Sequence, residues 1–383
     1  MLEVSLLDLD ESTFYGVKEV NIKGKNIDTP KKSVNLDNLR SDIRVRAEFF
    51  GEIYKTFSKE RIKSLITDVE KQLKFNYDLN KLIRRAQDFS VEVIFFIPAL
   101  DHLNPGEDEL RFIIATQSQY SDLYIVPLVE HLNKLMKDGS FSIHDYINLI
   151  NNYLDLLEGY PEKPAMGMVP INIPYQYIGD LMRLYLERGI ESFCLDVGGR
   201  VALSLPQQIT EVQKFLKENK IEAFIHATNI NIGRAKKRSN IITAKDVLSF
   251  GLGFDSIGDN HLPPRIRDAG KSPTINLRLF EKETYGYHKI QEPSEIEEIY
   301  PEDTRVKPEH LLDESLHRRR KAQVMFNYEQ LSMETERLRR VIGEGEIRDY
   351  LRSKRYVDEE VLKVITRVRD RATKMRSLEE FLG

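Results

Sequence analysis

Between Val91 and Ile257 the chain returns six times to a short, largely apolar run: Val91–Pro98, Leu123–Pro127, Met166–Pro170, Phe193–Asp196, Ala223–Ala227 and Phe254–Ile257. Runs of this length with no clear polar face suit strands buried on both sides. Amphipathic stretches lie between several of them. Ile178–Glu187 ends at the stop residue Gly189, and Ile209–Lys217 and Ala244–Phe250 show the same helical spacing. Strand, helix, strand, repeated, is the pattern of right-handed βαβ units and a parallel sheet. Roughly five to seven such units in about 190 residues favour an α/β fold of the closed (β/α)8 TIM-like barrel type over an open sheet. Ile275–Phe280 alternates and reads as a further strand. The remaining barrel strands fall to the N-terminal region or to runs that periodicity does not separate from helices.

Three regions follow from this pattern: residues 1–90, a strand and helical region contributing to the barrel; 91–291, the barrel core; and 292–383, a helical extension. Residues 1–38 begin with Val4, Leu6 and Leu7 and then turn polar, which suggests one strand and an irregular connection. From Leu39 to Phe89 the spacing is helical, with Ile62, Leu65, Ile66, Val69 and Leu73 at three- and four-residue intervals. After an acidic, proline-marked connection near Glu292, the stretches Leu311–Leu351 and Val357–Phe381 read as charged helices. The basic run His317–Lys321 fits a solvated helix face better than a binding patch.

Composition narrows the function classes. The net charge of −4 does not announce a nucleic-acid binder, so any such role rests on local basic clusters. Cys194 is the single cysteine, which excludes an intrachain disulfide framework and a Cys-rich zinc site and fits a reducing, cytoplasmic setting. No run approaches the ~18 apolar residues of a membrane span, and Met1-Leu2-Glu3-Val4 lacks the basic start of a signal peptide. No metal or cofactor is expected.

The densest chemistry lies in Gly253–Arg265, which carries Asp255, Asp259, His261 and Arg265 in thirteen residues. Other runs also end in polar or backbone-permissive groups: Asp101, Asp196-Val-Gly-Gly-Arg200 and Thr228–Asn231. In a barrel such strand ends converge on one mouth. Strand alternation puts Asp255 inside the sheet, two residues before Ile257, and leaves Asp259 as the reacting carboxylate. His226 reads as a packed core histidine and His261 as a satisfied strand-end one.

Asp259-Asn-His-Leu-Pro-Pro-Arg265 resembles the strand-end signature of the tRNA-guanine transglycosylases, in which an Asp nucleophile precedes a Leu-Pro-x-Arg element. Met166-Gly-Met-Val169 resembles that family's Phe-Gly-Ile-Val strand, and Gly198-Gly199 its Gly-Gly loop. Asn327–Gln330, Ile342–Gly345 and Tyr350-Leu351 resemble its closing helices, so the likeness spans roughly residues 160–351. The chain departs from the family in four places. The zinc-binding cysteines are absent, Pro170 replaces a base-reading Gln, Gly258 is an extra residue, and no Asp-Ser-Gly-Gly-Phe element is recognisable.

The resemblance implies exchange of guanine in DNA or tRNA, with a lean to DNA, for a free 7-deazaguanine base through a covalent Asp259–sugar intermediate. Asp101 is the candidate for proton transfer, with Asp196 its rival. Asp196, Gly198, Gly199 and Met168 are candidates for holding the base. Arg265, Arg267, Lys271, Arg234, Lys236, Lys237 and Arg238 are candidates for binding phosphates. A homodimer or heteromer is a further implication of the likeness. Two alternatives stay open: a catalytically silent nucleic-acid-binding subunit, and an unrelated barrel enzyme acting on a small phosphorylated substrate.

Overall fold

In the computed structural model, which describes residues 2–46, 48–235, 239–262 and 275–374, all six apolar runs contain strands. Three strands precede them in an antiparallel sheet: β1 (Leu2–Leu9), β2 (Gly16–Ile22) and β3 (Lys25–Thr29). Then come β4 (Lys31–Asn35), β5 (Phe50–Phe57), β6 (Ile94–Leu100), β7 (Tyr124–Ile125), β8 (Leu128–Val129), β9 (Ala165–Pro170), β10 (Phe193–Asp196) and β11 (Ile225–Thr228). With β13 (Ser256–Ile257) these build a nine-stranded parallel sheet in the order β7-β9-β10-β11-β13-β4-β5-β6-β8. The sheet curls, because β7 and β8 at its two ends are separated in the chain by Val126-Pro127 alone. β12 (Ile241–Thr243), β14 (Leu277–Glu281) and β15 (Gly286–Ile290) form a separate antiparallel sheet.

Strand register aligns the polar ends. Asp196 pairs with Thr228 and Pro170, and Ser256 and Ile257 pair with Lys31 and Lys32. The long helix Leu316–Gly343 packs on β4 and β14 and brings Tyr328 beside the end of β4. No helix among the described residues is long and apolar enough to cross a membrane.

Four local expectations need correction. Residues 1–38 hold four strands, since the lysines that mask their alternation either face outward, as Lys23 and Lys25 do, or are paired inward, Lys18 with Asp255, Lys31 with Glu92 and Lys32 with Asp259. The stretch Leu39–Phe89 is interrupted by β5, whose signal is broken by the buried charge of Glu52. Ala244–Phe250 is followed into a 3-10 turn at Val247–Leu252; a Cβ on Gly251 would strike Tyr15, and Gly253 has φ +90°. The strand within Ile275–Phe280 belongs to the antiparallel sheet and not to the parallel one.

Candidate active site

Asp259 leaves β13 one residue after Gly258, at the carboxyl end of the parallel sheet. The turn needs glycine, because a Cβ there would run into Glu52 Oε1. The Asp259 carboxylate is held from three directions. Lys32 Nζ lies 2.8 Å from Oδ1, the Asn35 backbone N–H donates to Oδ2 at 3.2 Å, and the Tyr328 hydroxyl donates to the same oxygen. Burial and the negative charge of Asp259 push the Tyr328 phenol well above its ordinary pKa, so it stays a donor. The Lys32 side chain is 4% exposed and that of Asp259 21%. Asp259 opens on a cavity of about 350 Å³ that Asn231, Asp246, Asn327 and Tyr328 also line. On its wall Asp246 accepts the Tyr287 hydroxyl at 2.6 Å through Oδ2, while its buried Oδ1 has no partner among the described residues.

Beneath Asp259 lies a buried carboxylate between two imidazoles. Glu52 accepts from His226 Nε2 at 2.7 Å, His261 Nε2 at 3.0 Å and the Asp259 backbone N–H at 3.0 Å. Burial alone would raise the Glu52 pKa, but the two imidazoles overcome that and hold the carboxyl well below its ordinary value. Asn35 Nδ2 sits 3.4 Å from His261 Nδ1, which makes Nδ1 the acceptor and Nε2 the nitrogen that donates to Glu52. The His261 ring is stacked on Tyr54 at 4.5 Å and 6°. Both histidines are therefore satisfied, though His226 is part of a polar network where simple packing was expected.

A second carboxylate, Asp196, is buried at the end of β10. Its Oδ1 accepts the Gly198 N–H at 3.1 Å and Asn229 Nδ2 at 2.8 Å. Burial pushes its pKa up despite these two bonds. Asn229, with φ +55°, ties the two carboxylate loops together: its N–H donates to the Asp259 carbonyl at 2.9 Å, and its Oδ1 accepts the His261 N–H at 3.0 Å. Gly198 and Gly199 have φ of +61° and +69°, and a Cβ on Gly198 would collide with the Asn172 amide. Asn172 Oδ1 and Thr228 Oγ1 are buried acceptors without a partner among the described residues. Glu130, after β8, accepts from Thr56 Oγ1 at 2.9 Å and from the Tyr54 hydroxyl at 3.3 Å, and its charge adds to the upward shift of Asp196.

The remaining candidates lie apart. Asp101 is exposed after β6, with its carboxylate 3.4 Å from His102 Nδ1 and no described bond to the Asp259 network. Met168 is wholly buried in β9, where its carbonyl accepts the Tyr185 hydroxyl at 2.9 Å. Asp255 is buried against Lys18 at 3.0 Å and accepts the Ile225 N–H at 2.7 Å, a structural role. Arg234 is exposed on the loop after β11. Lys236, Lys237, Arg238, Arg265, Arg267 and Lys271 lie outside the described residues. Sequence reasoning missed Lys32, Glu52, Tyr54, Glu130 and Tyr328. The one local signal was a charge inside an apolar segment, Glu52 between Phe49 and Ile53.

Neither protein-family models nor curated proteins give a match to this chain.

Proposed function

We propose that this chain is a base-exchange glycosyltransferase of the tRNA-guanine transglycosylase type, replacing guanine in DNA or tRNA, with a marginal lean to DNA, with a 7-deazaguanine. The observation that carries the reading is a pair of strand-end carboxylates in opposed environments. Asp259 is paired with the Lys32 ammonium at 2.8 Å and opens on a cavity, while Asp196 is buried and its pKa is pushed up. Two such groups suit a retaining substitution at a sugar carbon.

In that reaction an Asp259 oxygen attacks C1′ as the bond to guanine N9 breaks. The leaving base takes the Asp196 proton. The incoming base then returns a proton to Asp196 as its own N9 attacks C1′, and Asp259 is released unchanged. Asn172 beside Gly198, and Thr228 paired in register with Asp196, leave Oδ1 and Oγ1 free among the described residues to accept from the N–H donors along the edge of a guanine-like base. Asp196 takes the proton-transfer role in preference to the exposed Asp101. Support for a closed eight-stranded barrel is the short gap between β7 and β8: counted as one strand broken at Pro127, they join the two ends of the sheet.

The test is exchange of labelled guanine into duplex DNA and bulk tRNA, with Asp259→Asn alongside. The wild type exchanges and forms a trappable protein–nucleic acid adduct, and the variant does neither. An adduct that survives Asp259→Asn sinks the assignment. A second reading, a silent binding subunit, is favoured by the three donors that satisfy Asp259 as they would a structural ion pair. Nucleic-acid binding without exchange by the wild type would establish that alternative.

A further inference from the structure

The helix Leu316–Gly343 lines both the Asp259 cavity and, at its start, a separate groove. Its Gln323, Asn327 and Tyr328 face the Asp259 cavity. Its first turns, with His317, Arg318 and Lys321, line a separate groove of about 220 Å³, completed by Leu39, Arg40, Ser41, Asp42 and Arg85. The two are adjacent, since Asn38 lines the first and Leu39 the second. From Lys321 to Tyr328 is about 10 Å along the helix axis at 1.5 Å per residue.

The groove is built from cations held in place by the fold. Arg40 donates from Nε to Asp42 at 2.9 Å and from one terminal nitrogen to the Arg318 carbonyl at 2.8 Å. Arg318 in turn donates to Asp42 at 2.9 Å and to Asp313 at 2.8 Å. These carboxylates are already shared between the two arginines. Lys321 donates to the Asp37 carbonyl at 2.6 Å. Burial, and then the charge of Arg85, outweigh nearby Asp37 and hold the Lys321 pKa below its ordinary value, with Lys81 and Arg40 adding to the effect. Arg85, Lys81 and His317 have no carboxylate partner among the described residues. Cations gathered this closely, with their few carboxylates committed, leave a site complementary to an added anion.

We propose that this groove takes the phosphodiester backbone of the substrate nucleic acid, beside the nucleotide attacked in the Asp259 cavity. The inference rests on the base-exchange reading. Its geometry favours a polymer over a free phosphate: about 10 Å corresponds to roughly three charges on a strand that carries one per 3.4 Å. A small phosphorylated substrate held at Asp259 would not reach that far. The groove would position the strand without reading its sequence, as backbone contacts do.

The experiment measures binding of labelled duplex DNA and of a folded RNA hairpin across a salt series. It uses the parent protein, Arg85→Ala/Lys321→Ala, and a charge-matched control, Arg183→Ala/Lys214→Ala, on helices Ile178–Glu187 and Pro206–Glu218. We expect the groove variant to bind about tenfold or more weakly at low salt. Its plot of log affinity against log salt should be shallower by about 1.4 to 1.8, from 0.7 to 0.9 per lost phosphate contact. The control should match the parent. A companion Arg85→Gln/Lys321→Gln variant, checked for native circular dichroism, guards against a folding defect. The proposal is overturned if both groove variants bind as the parent does, if the control loses as much, or if polyglutamate competes as well as nucleic acid. Asp259→Asn separates the two readings. It should bind normally and fail to exchange, so retained exchange refutes the role of Asp259 while leaving the groove intact, and a parent that binds neither polymer refutes both.

Discussion

Lys32 Nζ lies 2.8 Å from Asp259 Oδ1 and joins β4 to the loop after β13 across one strand boundary of the parallel sheet. Lys32 is nearly sealed from solvent while Asp259 keeps one side open, so the pair is both a structural tie and an electrostatic setting for the carboxylate. A buried cation without its partner is costly, and removing one member of such a pair typically costs about 3–5 kcal/mol. Partial exposure of Asp259 brings the expected loss for Lys32→Met to about 2–3 kcal/mol. Urea unfolding of Lys32→Met, Asp259→Asn and the double variant will show it, and the double should be less destabilised than the sum of the singles. Additive losses would mean that the two side chains are not coupled.

Tyr328→Phe removes one donor to Asp259 and, with it, the acceptor of the Asn35 N–H and of Asn38 Nδ2, each at 3.2 Å. The ring stays to pack against Phe49, at 6.3 Å between centroids, and only the hydroxyl goes. Stability should fall by about 1–3 kcal/mol, since three hydrogen bonds worth about 1 kcal/mol each meet at this hydroxyl. Exchange activity should fall by about 10- to 100-fold in kcat, with KM little changed, because the hydroxyl steadies a carboxylate whose charge is consumed and restored in each cycle. A change confined to KM would instead put Tyr328 in substrate binding.

The position of Asp259 was legible in the sequence because its signal is local: a short strand, a glycine and a polar turn. Its setting was not. Lys32 and Asn35 come from more than 200 positions earlier and Tyr328 from 69 later, as the sequence separations of their bonds to Asp259 record. Periodicity carries no information on pairings that distant. Glu52 actively misled, since a charge within an apolar segment breaks the β pattern that its two histidine partners make tolerable. Asp196 illustrates the opposite case. A strand-end Asp before Val-Gly-Gly is visible in the sequence, but its preference over Asp101 for proton transfer comes only from the burial of one and the exposure of the other.

Asp196→Asn should abolish exchange yet cost the fold little at neutral pH. Burial raises the folded pKa of Asp196 above the ordinary 3.8, so the native state binds its proton more tightly than the unfolded state does. Stability from this group therefore rises as pH falls from the raised value toward 3.8 and declines as pH climbs back through that window. Asn cannot ionise and lacks this slope. Chemical denaturation from neutral pH to about pH 4 should show the wild type gaining on Asp196→Asn as acid is added. Parallel curves would mean that Asp196 titrates as in the unfolded chain.

Glu52→Gln should behave in the opposite sense. The imidazoles of His226 and His261 hold Glu52 well below the ordinary 4.5 in the folded protein, against the upward push of burial. Its contribution is therefore complete above 4.5 and is lost as pH falls through the lower folded value. The wild type should be more stable than Glu52→Gln by a constant margin of about 2–4 kcal/mol at neutral pH, given how thoroughly the pair is buried. That margin should close below pH 4.5, as acid protonates Glu52 in the wild type and leaves the variant unchanged. Glu52 also accepts the Asp259 N–H at 3.0 Å, so the variant should lose exchange activity at a pH where it remains folded. Full activity in a folded Glu52→Gln protein would show that the Asp259 turn holds its shape without the buried carboxylate, and that the Gly258 approach to Glu52 is a matter of packing alone.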